Sequence, residues 1–255
     1  MSILYLTVAS DDYIDGVIAL YKSIKKHHPD FNNDFKVVYH NTYCPLNQQS
    51  QQKLLTFYDK FIFQEATLEE FKINYMKIKH PRFNYACLLS LYAFNQPGYD
   101  KVVFLDSDLI FVRPFKHLED IQADFIGVKD KKIKFPVNKI IKKNKGMEVN
   151  VGLLVIGKKY NNQETFNVLI EIMHLKRRVK LPDQEIINIF LNGKEMLFLP
   201  LEWNRQVRDF YPNGKHDNFK NSNDICLHFC GPKPWHGGIP HTSEMEKIWW
   251  EYFNL

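Results

Sequence analysis

The sequence predicts an α/β fold, a single domain with a mainly parallel sheet and helices on both faces. In its first half, short apolar runs alternate with runs whose apolar residues recur at helical spacing. The chain has 255 residues, of which 45% are hydrophobic, and this is enough for one large core. No internal repeat, linker or low-complexity segment interrupts it. Ligands of such a fold bind at the carboxyl ends of the strands.

Strands and helices alternate through the first half. Residues 3–9 form the continuous apolar run of a buried strand, and residues 11–28 carry apolar side chains along one side of a helix. The other elements predicted in this half are a strand at 35–39, a helix at 46–58, a strand at 60–64, a largely apolar helix at 83–94 and a strand that ends at Asp106.

The second half is less regular and predicts a mixed α/β arrangement. Its closing helix carries Trp249 and Trp250. The predicted strands of this half are 125–128, 149–156, 196–199 and 225–229, and the predicted helices are 165–175, 183–191 and 243–253.

The start of the chain lacks the positively charged region of a signal peptide, and no run of about eighteen apolar residues occurs elsewhere. Four cysteines are too few and too scattered for a disulfide framework. Cys226 and Cys230 also lack the second pair, or the nearby histidines, of a structural zinc site. We therefore expect a soluble cytoplasmic protein with reduced thiols and no transmembrane segment.

The charge balance gives a mild positive excess of +5, which favours anionic partners only weakly and does not by itself indicate nucleic acid. Eight lysines and one acid lie between Lys129 and Lys145. A solvated loop is the favoured interpretation of this lysine-rich block. A patch that recruits an anionic acceptor, or that covers a phosphate-bearing donor, is the alternative.

The apolar run 101–105 delivers Asp106 and Asp108, with Ser107 between them, to the point where a strand ends. Carboxylates spaced in this way suit Mg²⁺ or Mn²⁺, because these cations take oxygen ligands and can bridge them to a diphosphate. Asp and Ser also form turns after strands, so the tripeptide alone leaves a simple turn equally open.

The segment His228-Phe229-Cys230-Gly231-Pro232-Lys233-Pro234-Trp235 supplies further parts of an anion and metal site. His228 stands at a predicted strand end and, with Asp106 and Asp108, could complete a three-residue metal face. Gly231 allows close backbone approach, and Lys233 could neutralise an outer phosphate. For His228 alone a structural histidine is the simpler interpretation, but beside a D-x-D motif we favour a ligand. The glycine-rich dinucleotide motif and the Walker lysine are absent from the sequence.

In six segments, in order along nearly the whole chain, the sequence resembles glycosyltransferase family 8. This family of retaining nucleotide-sugar transferases includes glycogenin and bacterial lipopolysaccharide galactosyl- and glucosyltransferases. The segments are residues 6–13, 104–108, 150–152, 182–184, 199–204 and 228–235. The resemblance implies a Rossmann-like nucleotide-sugar-binding domain of the GT-A type. Residues 1–128 would then form its nucleotide-binding half, and residues 129–255 its sugar and acceptor half.

The resemblance also implies roles for individual residues. Asp183 and Gln184 would line one face of the transferred sugar as the catalytic residues, although Asp183 follows Pro182 and could instead cap a helix. Ser90 stands where the family commonly has a lysine, so that donor contact is either missing or supplied by Arg82. Asp106, Asp108 and His228 would be the ligands of Mn²⁺, or of Mg²⁺. The other donor-binding residues implied are Thr7, Val8, Ala9, Ser10, Tyr13, Ser107, Asn150, Gly231 and Lys233.

The reaction implied by the resemblance is transfer of a hexosyl unit from UDP-glucose, UDP-galactose or UDP-N-acetylglucosamine. The acceptor would be a hydroxyl of a glycan, a protein or a lipid-linked molecule, which would attack the anomeric carbon from the front face with retention of configuration. We expect no nucleic-acid partner, and the oligomeric state stays open, a homo-oligomer included.

Three alternatives stay open at this point. A metal-dependent nucleotidyltransferase also uses an L-D-x-D strand end, but it leaves residues 228–235 without a role. A nucleotide-sugar-binding protein without turnover is favoured by the Ser90 departure. Nucleic-acid binding through the lysine-rich block predicts an affinity that falls steeply with salt.

Overall fold

The computed structural model describes residues 1–67, 71, 77–78, 85–115, 117–130, 140–141, 148–176, 178–179, 181–210, 222–237 and 243–255. The described strands are β1 Ile3–Val8, β2 Asp34–Tyr39, β3 Phe61–Glu65, β4 Lys77–Ile78, β5 Lys101–Leu105, β6 Leu109–Phe111, β7 Phe125–Lys129, β8 Ile140–Ile141, β9 Val149–Gly157, β10 Arg178–Val179, β11 Met196–Leu199, β12 Arg205–Gln206 and β13 Cys226–His228. The described α-helices are α1 Ile14–His27, α2 Gln48–Phe57, α3 His117–Asp120, α4 Gln163–Leu175, α5 Pro182–Leu191 and α6 Ser243–Phe253. Short 3-10 helices span Asp11–Tyr13, Tyr85–Phe94, Leu201–Trp203, Val207–Phe210 and Pro234–His236.

The central sheet confirms the predicted α/β class. Its eight strands lie in the order β3-β2-β1-β5-β9-β7-β11-β8. Strands β1, β2, β3 and β5 pair in parallel, as do β7 and β11, whereas β9 runs antiparallel to both β5 and β7. The carboxyl ends of β1, β5, β7 and β11 therefore meet at one edge of the sheet. Because β9 is reversed, it brings its first residues to the same edge.

A smaller sheet lies beside this edge, in the order β12-β13-β6. Strand β13 pairs antiparallel with β6, so that His228 is opposite Leu109. Strand β6 begins three residues after Asp106, and its pairing therefore holds β13 against the D-x-D turn. The sequence predicted β13, but it gave no sign of β6.

Helices cover both faces of the central sheet. On one face, α1 and α2 pack on apolar side chains that include Tyr5, Val37 and Val103. On the other face, α4, α5 and the 3-10 helix Tyr85–Phe94 bury Phe104 and Leu154 among others. A third cluster joins α1, α6 and the small sheet. The predicted helix 11–28 begins as a 3-10 turn, and the described part of the predicted helix 83–94 is a 3-10 helix with most of its side chains buried.

Two further sequence expectations concern membranes and thiols. Within the described ranges, none of the helices combines the length and the apolar character that crossing a bilayer requires. All four cysteines fall in described ranges, and none of them forms a disulfide bond. Most of the lysine-rich block, residues 131–139 and 142–145, lies outside the described residues, and so does Arg82.

Candidate metal and donor site

The turn between β5 and β6 presents both carboxylates of the D-x-D motif. The Asp106 amide donates to the carbonyl oxygen of Gly152 at 2.9 Å, and the Asp106 carbonyl accepts from the Leu109 amide at 3.2 Å. These two bonds anchor the turn to β9 and to the start of β6. Asp106 stays partly exposed, whereas Asp108 and Ser107 are buried. One carboxylate can therefore meet a ligand in solvent while the other lies beneath it.

His228 completes a cluster of three side chains with the two carboxylates. Its Nε2 lies 3.1 Å from Asp108 Oδ1 and 3.4 Å from Asp106 Oδ2. One potential ligand atom from each residue falls within 4.8 Å of the others. Residues separated by more than a hundred positions in sequence thus meet because β13 pairs with β6.

A chain of hydrogen bonds behind His228 fixes which ring nitrogen faces the carboxylates. His228 Nδ1 donates to Asn204 Oδ1 at 2.7 Å, and Asn204 Nδ2 donates to Asn150 Oδ1 at 2.7 Å. The Asn150 oxygen also accepts from the Gly152 amide at 3.0 Å. Since Nδ1 carries its proton in this arrangement, Nε2 is the nitrogen that can offer a lone pair to a cation.

These residues fit a divalent cation. Asp108 Oδ1 is buried and faces His228 Nε2, which has no proton to donate to it when the ring proton is on Nδ1. Burial opposes protonation of His228, but Cys230, Asp108 and Asp106 outweigh burial and raise its pKa well above the usual value. Excess negative charge therefore surrounds Nε2, and either a proton or a metal ion can balance it. Two carboxylate oxygens and one imidazole nitrogen are a donor set that suits Mn²⁺, and Mg²⁺ less well.

Lys233 pairs directly with Asp108. Its Nζ contacts Asp108 Oδ2 and donates to the Phe229 carbonyl at 2.9 Å. Burial would raise the pKa of Asp108, but Lys233 and His228 together lower it well below its usual range. Gly231 has a φ of +102°, a left-handed conformation that favours glycine, and so the chain can turn tightly before Lys233. The ammonium group of Lys233 is thus already held beside the cluster of Asp106, Asp108 and His228.

The end of β1 lies at the same edge of the sheet. Thr7 and Ala9 are buried, while Val8 and Ser10 remain partly exposed. Thr7 Oγ1 is buried and has no hydrogen-bond partner among the described residues. The Tyr13 ring lies edge-on to Trp235, with centroids 5.7 Å apart, and burial raises its pKa. Tyr13 therefore packs against the segment that carries Lys233, which agrees with its interpretation as a packing residue and leaves stacking on a base as a prediction.

The start of α5 carries Asp183 and Gln184. Pro182 opens the helix, as Pro favours the first turn, and the Asp183 carboxylate accepts from backbone amides of that turn. Burial, followed by the charge of Asp106, raises the Asp183 pKa to about 7. Ser90 Oγ lies 3.2 Å from this carboxylate. The N-cap of α5 is Leu181, so Asp183 is not the capping residue that the sequence left open, and its carboxylate accepts from the Ser90 hydroxyl.

Gln184 contacts a residue that sequence reasoning did not select. Its Nε2 donates to Asp130 Oδ2 at 3.2 Å, just beyond the end of β7. Sequence reasoning also assigned no role to Gly152 and Asn204, although both lie in segments that carry the family resemblance. The sequence contained both residues within those segments, as part of an Asn-x-Gly and as an Asn after Trp. Only the fold, however, shows that Gly152 and Asn204 lie around His228.

Replacing Asn204 tests whether this hydrogen bond orients His228. Asn204→Leu keeps the branched shape of the side chain but removes the acceptor, and we expect Mn²⁺ affinity to fall about 10- to 100-fold, as it does when such partners of metal-bound histidines are lost. Asn204→Asp is the matched control, because a carboxylate still accepts from Nδ1. Calorimetric titration with Mn²⁺ measures both variants. Equal affinity of native chain and Asn204→Leu would show that the bond has no orienting role.

Comparisons with known proteins agree with this geometry. The model for glycosyl transferase family 8 matches residues 5–238. Among solved structures, the chain is similar to galactosyltransferase LgtC in complex with donor and acceptor sugar analogues. That match has a TM-score of 0.76 and 18% identity, and it covers 98% of this chain and 95% of LgtC. No curated protein matches the chain.

Two further structures are longer than this chain. The bifunctional glycosyltransferase WbbM matches with a TM-score of 0.70 and 20% identity, over 99% of this chain and 49% of WbbM. The glycosyltransferase GlyE of Streptococcus pneumoniae TIGR4 matches with a TM-score of 0.67 and 17% identity, over 100% of this chain and 61% of GlyE. At such identities the likeness shows a shared GT-A fold. Because the family model covers most of its length, the chain belongs to glycosyl transferase family 8, a glycosyltransferase with a candidate Asp-Asp-His metal site.

Proposed function

We propose that the chain transfers a hexosyl unit from a UDP-sugar to a hydroxyl acceptor, with retention at the anomeric carbon and with Mn²⁺ as its cation. The observation that carries this proposal is the cluster of Asp106, Asp108 and His228 beside Lys233, at the carboxyl edge of the parallel strands. Membership of the family supports a nucleotide-sugar donor and a glycan acceptor. The similar LgtC structure is described with donor and acceptor sugar analogues, which agrees with that assignment.

Asp106, Asp108 and His228 would hold the cation in this reaction. When bound, the cation would neutralise the diphosphate and stabilise the charge that develops on departing UDP. Lys233 would leave Asp108 for an outer phosphate oxygen, and Gly231 would let the backbone approach the same group. Transfer of the Lys233 charge from a carboxylate to the phosphate keeps the buried ammonium paired throughout.

The other donor contacts follow from position. Thr7, Val8, Ala9 and Ser10 end β1 beside the D-x-D turn, so their backbone groups would hold the uracil and ribose. Thr7 Oγ1, which is buried without a partner among the described residues, offers a hydrogen bond as well.

The transferred sugar would lie between the D-x-D turn and the start of α5. Asn150 would offer its amide nitrogen to a sugar hydroxyl, because its oxygen already accepts from Asn204 and Gly152. Ser107 lies between the two carboxylates that would bind the metal. Asp183 and Gln184 would face the other side of the sugar, where amide and carboxyl groups supply the donors and acceptors that hydroxyls need.

The test of this proposal is product release from a panel of UDP-sugars, with Mn²⁺ and with a chelator. We expect UDP to be released from one or a few sugars only when Mn²⁺ is present, and NMR to show the product with the anomeric configuration of the donor. Release of pyrophosphate from UTP and a sugar 1-phosphate, with no UDP released from any UDP-sugar, would indicate a nucleotidyltransferase instead. An inverted product would contradict retention while leaving the transfer itself intact.

A binding protein without turnover is the second candidate, because Ser90 faces Asp183 where relatives commonly have a lysine. The same assay separates the two functions. A chain that binds UDP with Mn²⁺ but releases none from any donor, even with a panel of saccharide acceptors, would favour the binding function. Ser90→Lys would then be the variant in which to seek restored turnover.

A further inference from the structure

Two ring nitrogens tie the segment that carries Lys233 to the loop after β1. Trp235 Nε1 donates to the Asp12 carbonyl at 2.8 Å, and His236 Nε2 donates to the same oxygen at 3.0 Å. A carbonyl oxygen has two lone pairs and can accept both bonds. We name residues 229–236 the phosphate segment. The last two side chains of this segment, Trp235 and His236, are thus both hydrogen-bonded to the backbone of Asp12, the residue before Tyr13.

The Trp235 indole is also held by packing from three sides. Its ring lies 5.1 Å from the Trp249 ring of α6 and edge-on to Tyr13. Trp249 is fully buried and stacks on Phe253 at 5.2 Å, so α6 offers a firm surface. On the α1 side, a Cβ at Gly16 would lie 2.8 Å from the indole Cη2 and 2.5 Å from the Ser107 carbonyl oxygen. Only glycine lets α1 approach both groups.

Lys233 is linked to this indole by a short, stiff stretch of chain. Pro234 fixes one backbone dihedral between them, and the His236 amide donates to the Lys233 carbonyl at 3.1 Å. The ammonium group at the other end of Lys233 contacts Asp108 and lies 5.7 Å from the centre of the Tyr13 ring. A displacement of the indole would therefore move Lys233 relative to Asp106, Asp108 and His228.

We propose that Trp235 is a positioning residue for donor binding. With Trp249 behind it, Trp235 pins the phosphate segment to residues 12–16, so that Lys233 and the nucleotide-binding end of β1 keep one fixed spacing. That spacing sets the distance between the diphosphate contact and the nucleoside contact of one donor molecule. The identity of this donor rests on the proposed function.

Trp235→Phe tests the proposal with a substitution that keeps an aromatic side chain. It removes the bond to Asp12 but keeps an aromatic ring against Trp249. We expect the Kd for UDP in the presence of Mn²⁺, and the donor KM for UDP release, to rise about three- to tenfold, which corresponds to the loss of one hydrogen bond. We expect kcat to stay within about twofold, because the metal ligands are untouched. Amide hydrogen exchange should become faster in the phosphate segment.

The matched control is Trp250→Phe. Trp250 lies on the same helix and packs edge-on against Trp249 and Phe253. The Trp250→Phe substitution should lower thermal stability at most modestly. It should leave UDP affinity, donor KM and amide hydrogen exchange in the phosphate segment as in the native chain. Trp249→Phe, which loosens the surface behind the indole, should shift the same quantities as Trp235→Phe in the same direction.

A Trp235→Phe chain with native UDP affinity, donor KM and segment exchange would overturn the proposal, even if its melting temperature fell. Such a result would leave the indole a purely structural role. If the native chain neither binds UDP nor releases it, the proposed function fails, and this is visible before any variant is made. Hydrogen exchange still decides in that case, since unchanged protection of the phosphate segment in Trp235→Phe shows that the indole does not pin it.

Discussion

Asp108→Asn is expected to lower Mn²⁺-dependent release of UDP by about a thousandfold, because loss of one charged metal ligand removes several kcal/mol of transition-state stabilisation. The substitution keeps the shape of the side chain and an oxygen that can accept from Lys233. It removes the negative charge at the buried position where Oδ1 faces His228 Nε2. A coupled assay of UDP release at saturating Mn²⁺ measures the effect.

Asp124→Asn controls for the loss of one negative charge. Asp124 forms an exposed pair with Lys159, and such pairs contribute little. This variant should release UDP at the native rate. An Asp108→Asn chain that keeps more than about a tenth of native activity would place the metal elsewhere and would refute the ligand role of Asp108.

Gly152→Ala is expected to damage the site through His228, although residue 152 has no side chain that could bind anything. An added Cβ would lie 2.4 Å from His228 Cε1 and 2.7 Å from Nδ1, distances at which one group must move. His228 would leave the position that Asn204 and the two carboxylates define. We expect Mn²⁺ affinity to fall at least about tenfold, the size of effect seen when the orientation of a metal-bound histidine is lost. Calorimetry with Mn²⁺ measures it.

Gly157→Ala is the control in the same strand. The atoms nearest to its added Cβ would be backbone atoms of Asp124 and Ala123, at 3.1 Å or more, and they lie at the far end of β9. We expect some loss of thermal stability but native Mn²⁺ affinity. If both variants lose stability equally and both keep native metal affinity, the close contact between Gly152 and His228 does not control the site.

The local patterns of the sequence were sufficient for most elements. β1, β5 and α1 follow from uninterrupted apolar runs and from apolar residues at helical spacing, because burial on a sheet or on one helix face dictates those periods. The D-x-D motif and His228 could be proposed as one cluster because each stands at the end of a predicted strand. The structure brings them within ligand distance of one another.

Long-range pairing could not be predicted in the same way. A strand buried on both faces has the same apolar run whether it is parallel or antiparallel to its neighbours. The sequence of β9 therefore did not predict that this strand runs antiparallel. That reversal brings Asn150 and Gly152 to the site. The contacts of Asn204 with His228, and of Asp130 with Gln184, likewise depend on tertiary register and not on spacing along the chain.

The most direct test of the account is pulsed electron paramagnetic resonance of Mn²⁺ bound to the native chain in the presence of UDP. The account predicts two couplings on the same ion: a ¹⁴N coupling that disappears in His228→Gln, and a ³¹P coupling from the diphosphate. Bound Mn²⁺ that shows the ³¹P coupling but an unchanged ¹⁴N coupling in His228→Gln would exclude His228 as a ligand. Bound Mn²⁺ with no ³¹P coupling would contradict the central claim that this cluster holds the donor through its diphosphate.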